Sequence, residues 1–197
     1  DEAVEEVGKD KKVRATREDC PEVMTREEFE DKMTELAKGF KVPDNVDPLV
    51  ASTLKWIYDE IRKANGLAIF VHPTWITGNT FHDSDALNDW LVENKIFDAF
   101  EVLGGESYFE QNGYQTVRYY EDKARGYRYP IVGSTDSHNC TSENRNAYIC
   151  STIVFSPENE RRAIIDSIKN FRSVAVDTIS KEFRLVGEMR YVRYGCF

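Results

Sequence analysis

Short β-branched runs alternate with helical stretches from residue 49 onward, and several of these runs stop abruptly at polar side chains. LAIFVHPTW (67–75), IFDAFEVL (96–103), YPIVGSTDSHN (129–139), AYICSTIVF (147–155) and RSVAV (172–176) read as buried strands. Between them lie apolar positions at helical spacing: Val50, Leu54, Ile57 and Ile61, then Leu87, Trp90 and Leu91 in 83–93, a stretch over 108–124, and Ile164, Ile165 and Ile168 in a helix opened by Pro157. This alternation predicts an α/β chain of parallel βα units. In such sheets and barrels the reactive groups gather at the carboxyl ends of strands, where loops vary without disturbing the core. His72, Asp136 and His138 occupy such ends. No internal repeat or low-complexity tract interrupts the pattern.

Three segments are expected. Residues 1–48 are irregular or helical, a possible insertion or linker, and include TREEFEDKMTELAKGF, with Thr25 and Glu28 spaced as a capping box and Gly39 as its stop. Pro43 and Pro48 mark a junction to the patterned part, 49–178, and 179–197 forms a C-terminal extension. A chain that begins at Asp1 without methionine and ends in YVRYGCF reads as a piece of a longer polypeptide.

Charge and composition narrow the partners. A net charge of -9 argues against nucleic acid, whose phosphates require a basic surface. No apolar run approaches the roughly 20 residues that span a bilayer, and the acidic start is unlike a signal peptide. Cys20, Cys140, Cys150 and Cys196 are scattered without a C-x-x-C pair, which reads as reduced thiols in a cytoplasm.

His72 follows five apolar residues and precedes Pro73, which fixes the exit of the chain. One imidazole nitrogen there can meet a cation while the other is anchored on a carbonyl or carboxylate; a hydrogen-bonded structural histidine is the competing reading. Asp136 and His138 are two residues apart, so in a turn or extended segment they share a side and can share a metal; an Asp capping a turn beside an exposed His is the alternative. Mixed oxygen and nitrogen donors suit Zn, Mn or Fe. His82, the third histidine, precedes a helix start at Asp83 or Ser84 and is assigned to a surface loop.

VHPTW, FDAFEVLGG and GSTDSH, in that order, resemble the C-terminal half of the PHP (polymerase and histidinol phosphatase) superfamily of metal-dependent phosphoesterases, over about residues 49–178. The resemblance implies part of a distorted, seven-stranded β/α barrel. It makes His72, Asp136 and His138 metal ligands of a centre holding two or three divalent ions, with Asp136 and His138 catalytic and a small phosphorylated substrate. Beside these ligands, Glu101 stands behind the metal site or faces substrate, against a strand-end surface carboxylate; Trp75 lines the pocket or only packs; Asn139 orients His138 or is a turn asparagine; and Arg145 meets a phosphate or is a solvated arginine. The family's N-terminal H-x-H and its further ligands before the H-P motif are absent, since no histidine precedes His72. A complete protein carrying them would hydrolyse phosphate esters with metal-activated water. The alternatives are a catalytically inactive binding module, or an amidohydrolase-type barrel, which also uses strand-end His and Asp.

Overall fold

The computed structural model describes residues 24–77, 80–81, 83–105, 111–137, 150–178 and 184–196. Among them the order is α1 (Arg26–Ala37), α2 (Pro48–Lys63), β1 (Ile69–Phe70), β2 (Ile76–Thr77), β3 (Thr80–Phe81), α3 (Asp85–Glu93), β4 (Ala99–Leu103), α4 (Gly113–Ala124), β5 (Ile131–Gly133), β6 (Cys150–Val154), α5 (Arg161–Lys169), β7 (Ser173–Asp177), β8 (Arg184–Gly187) and α6 (Met189–Gly195). Helix and strand are mixed as the α/β class requires.

Helix starts follow local chemistry. Thr25 and Glu28 form the reciprocal capping box, with Thr25 N–H donating to Glu28 at 2.7 Å. Asp47 caps α2 by accepting from Leu49 N–H at 2.8 Å ahead of Pro48, and Ser84 rather than Asp83 caps α3. The expected start of α5 at Pro157 is corrected: the helix begins at Arg161 after Glu160. Ser156 Oγ donates to Glu158 O at 2.7 Å, closing a local turn that competes with helix over 156–160.

Four helices end on one device. Gly66, Ile96, Tyr127 and Arg172 N–H groups reach back to Ile61, Leu91, Asp122 and Ser167 carbonyls at 2.8, 3.0, 2.9 and 2.9 Å. The residues before them, Asn65, Lys95, Gly126 and Phe171, have φ of 58°, 52°, 95° and 60°. This is the Schellman arrangement, which satisfies terminal carbonyls and turns the chain sharply. Each turn delivers the chain to a strand, β1, β4, β5 or β7, within a few residues.

β1, β4 and β5 form a parallel sheet with β4 central. All five residues of β4 are buried, as expected of a parallel strand covered on both faces. Phe97, Phe100 and Tyr129 pack at its base with ring centroids 5.2 to 6.1 Å apart. Phe40, Val42 and Val46 reach into the same core, so the segment before α2 shares its packing with the parallel sheet.

The expectation of mostly parallel strands is corrected. β6, β7 and β8 form an antiparallel sheet, β2 and β3 an antiparallel hairpin, and no closed barrel is seen among the described residues. The connection from β7 to β8, residues 178–183, is shorter than the dozen or so residues of a parallel crossover. The tail after 178 thus contributes a strand, β8, to this sheet. Ser173 Oγ donates to Ile131 O at 2.8 Å and Thr152 Oγ1 accepts from Gly133 N–H at 2.9 Å, which brings the second sheet against β5.

The shared turn makes two substitutions diverge. Lys95→Gly is expected to stabilise the chain by about 1 kcal/mol, because a left-handed conformation costs a residue with a Cβ about 1–2 kcal/mol, part of which returns as unfolded-state entropy. At the matching position Gly126→Ala is expected to destabilise by about 1 kcal/mol, although an added Cβ would meet nothing within 4 Å. Urea titration of both variants checks this; shifts of the same sign would contradict the turn geometry.

Candidate functional site

The carboxyl ends of β1 and β5 flank that of β4, and β4 carries a charge between them. Glu101 is 2 % exposed in a strand whose other four residues are apolar. Its Oε2 accepts the His72 backbone N–H at 2.6 Å, and its Oε1 accepts from Ser134 Oγ. One carboxylate therefore ties the exit of β1 to the exit of β5. Burial raises the Glu101 pKa above its ordinary value; the Ser134 hydroxyl, the His72 N–H and His72 charge oppose the shift, and nearby Asp136 adds to it.

Both exits are conformationally unusual. His72 has φ 34° and Asp136 has φ 47°, left-handed backbone at residues other than glycine. Such outliers cost of order 1–3 kcal/mol and persist where their surroundings over-determine them. At His72 the surroundings are the Glu101 bond, the Trp75 N–H donating to His72 O at 3.0 Å, and Pro73, whose carbonyl accepts from Asn88 Nδ2 at 3.1 Å.

The register between β4 and β5 shifts between Glu101 and Leu103, an irregularity of the kind that re-aims side chains near sites. The chain beyond β4 is then held by Asn112, whose Oδ1 accepts from Gly104 N–H at 2.6 Å and whose Nδ2 donates to Gly104 O at 3.1 Å. Gly105 permits the closest approach: a Cβ there would lie 2.3 Å from Thr135 O and 2.7 Å from Asp136 Cβ.

These parts enclose a small cavity, about 10 Å³, lined by His72, Trp75, Glu101, Gly105, Asn112 and Asp136 among others. That is room for about one water. His72 is exposed at its mouth, Asp136 is half-buried, and the Trp75 ring lies 5.6 Å from the His72 ring, tilted. Of the residues singled out in the sequence, the fold thus brings His72, Trp75, Glu101 and Asp136 together. His138, Asn139 and Arg145 lie outside the described residues, as do His82, Cys20 and Cys140.

Behind the cavity sit groups that the sequence pattern did not single out. Asp177 closes β7 opposite Cys150 of β6, and both are fully buried. Asn112 Nδ2 lies 3.8 Å from Cys150 Sγ. Burial, with the negative charges of Asp177 and Glu101, pushes the Cys150 thiol up to about 12, so it stays protonated and is no nucleophile. The signal for Asp177 was present: SVAVD is another β-branched run closed by a carboxylate. Asn112 and Ser134 carried no such signal, because an isolated polar residue acquires its role only from the partner that the fold supplies.

An imidazole and a carboxylate are the donor types that a Zn, Mn or Fe ion takes. Their number falls short: among the described residues no group of three or more His, Cys, Asp or Glu side chains is disposed to hold a metal. Glu101 directs both oxygens at protein donors. Compared with known proteins, the chain matches no family model, no curated protein and no solved structure.

Glu101→Ala should leave the His72 N–H and the Ser134 hydroxyl without their acceptor beside the cavity and cost about 3 kcal/mol. Glu101→Gln keeps one acceptor oxygen and should cost less than half of that. Chemical denaturation distinguishes the two, and equal losses would contradict the role of Glu101 as a clamp between strand exits.

Proposed function

We propose that this chain is the C-terminal part of a PHP-type, metal-dependent phosphoesterase, in which His72, Asp136 and His138 are metal donors and the remaining donors come from a part of the protein that this chain does not contain. The observation that carries the reading is the convergence of His72 and Asp136, both with left-handed backbone, on one polar cavity at the carboxyl ends of parallel strands. Glu101 holds both exits in place from the middle strand. In this reading its carboxylate is a positioning group, and Trp75 forms a wall beside the imidazole. Asn139 and Arg145 come after the donor pair in the chain and would orient His138 and meet substrate phosphate. The complete assembly would be the seven-stranded β/α barrel, to which β1, β4 and β5 contribute its parallel part.

A bound divalent cation, Zn, Mn or Fe, supplies water activation near neutral pH and charge neutralisation at phosphoryl oxygens. The residues of this chain bind, orient and enclose. Three proposed donors leave the centre open and without its bridging ligands, so the chain alone holds the ion weakly or not at all. The substrate is a small phosphate ester; the net charge of -9 disfavours nucleic acid. Among the described residues no helix is long and apolar enough to cross a membrane. Cys150 and Cys196 are free thiols, in keeping with a cytoplasmic protein.

The test uses the longer protein that carries an upstream H-x-H. It should hydrolyse a simple aryl phosphate only with a divalent cation, lose turnover to background as Asp136→Ala, and fall about 10- to 100-fold as Glu101→Gln. An Asp136→Ala enzyme that turns over normally would refute the assignment. A longer protein that folds, binds metal and hydrolyses nothing would favour the inactive binding module instead.

A further inference from the structure

A second cavity opens at the other end of the parallel sheet. Phe97 and Asp98 immediately precede β4, and Tyr129 and Pro130 precede β5, so the space they line lies at the amino ends of the strands, away from His72 and Asp136. Its volume is about 470 Å³, within the range of about 300–1,000 Å³ typical of small-molecule sites. Arg62, Lys95, Arg128 and Lys169 line it with a single carboxylate, Asp98, a local balance of 4 − 1 = +3 in a chain of net charge -9.

Much of this charge has structural work. The helices α2, α3, α4 and α5 all end here, and basic side chains offset the partial negative charge of about half a unit at each carboxyl terminus. Arg62 and Lys169 both grip Asp98, at 2.9 and 3.3 Å. Arg128 shares Glu188 with Lys123, at 3.0 and 3.3 Å. Asp98 also accepts from Ala68 N–H at 3.0 Å, tying the amino ends of β1 and β4 together.

Lys95 is not explained in this way. It is exposed, makes no ion pair among the described residues, and holds φ 52° at the turn position where α4 uses Gly126. What sets Lys95 apart from Asn65 and Phe171, which hold the same conformation, is its ammonium group on the lining of the cationic cavity. Arg128, 62 % exposed in its side chain, stands on the same lining, and the rings of Phe97 and Tyr127 supply an apolar wall.

We propose that this cavity binds a small anion, a phosphate or carboxylate on an apolar body, with Lys95 and Arg128 contacting the charge and the Phe97 and Tyr127 rings covering the body. The site is separate from the one proposed for hydrolysis and does not depend on it.

Calorimetric titration of the 197-residue chain with phenyl phosphate and with phthalate tests this. At least one should bind at low ionic strength, and more weakly as salt screens the site. Lys95→Gln/Arg128→Gln alters only exposed side chains and should weaken binding about tenfold or more. Arg26→Gln on the exposed face of α1 and Asp136→Asn should leave binding unchanged. Preference for one probe identifies the headgroup. Binding of neither probe, equal binding to the double variant, or loss in Asp136→Asn or Arg26→Gln would overturn the proposal.

Discussion

A single buried carboxylate organises the carboxyl end of this sheet. A charge in the middle of a parallel strand is costly to desolvate and is tolerated only when its oxygens are satisfied. Glu101 meets that condition by drawing in two neighbours, the His72 N–H from β1 and the Ser134 hydroxyl from β5. The cost of burial and the geometry of the site are thus one fact: satisfying the central strand's charge brings both candidate donors to the same cavity. The left-handed backbone at His72 and Asp136 fits this constraint, since both residues sit where the chain must leave a strand and bend toward Glu101.

The opposite end of the sheet is built from repetition. Four helices finish in the same Schellman turn, and three of the four left-handed positions are residues other than glycine. The turn closes the helical carbonyls and places the next strand without a long loop. It also collects four helix termini around one space, which is why basic side chains crowd there and why Asp98 serves two of them. One sheet therefore presents two chemically opposite ends, with carboxylates around an imidazole at one and guanidinium and ammonium groups at the other.

The elements were legible where a short-range rule decides them. The capping box at Thr25 and Glu28, the Asn65-Gly66 stop and the buried run ending at Leu103 follow from local hydrogen bonding and hydrophobic period. The start of α5 was not, because Pro157 is compatible with a first helical turn, and only the Ser156 to Glu158 contact shows that the chain turns instead. Strand direction was hidden for the same kind of reason: a β-branched run carries its burial in its composition, while its neighbour and direction depend on connection length and packing.

The candidate site divides along that line. That His72, Glu101 and Asp136 each stand at or near a strand's carboxyl end is a property of the sequence, because apolar runs and their polar closures are local. That Glu101 faces inward to bind a backbone N–H and a hydroxyl, that Asn112 holds Gly104, and that Asp177 lies buried beside Cys150 was decided by tertiary structure. Hydrogen bonds between residues 8 to 33 positions apart have no period to read. They exist only once the sheet has set its register, and a bulge between Glu101 and Leu103 is enough to change which side chains meet.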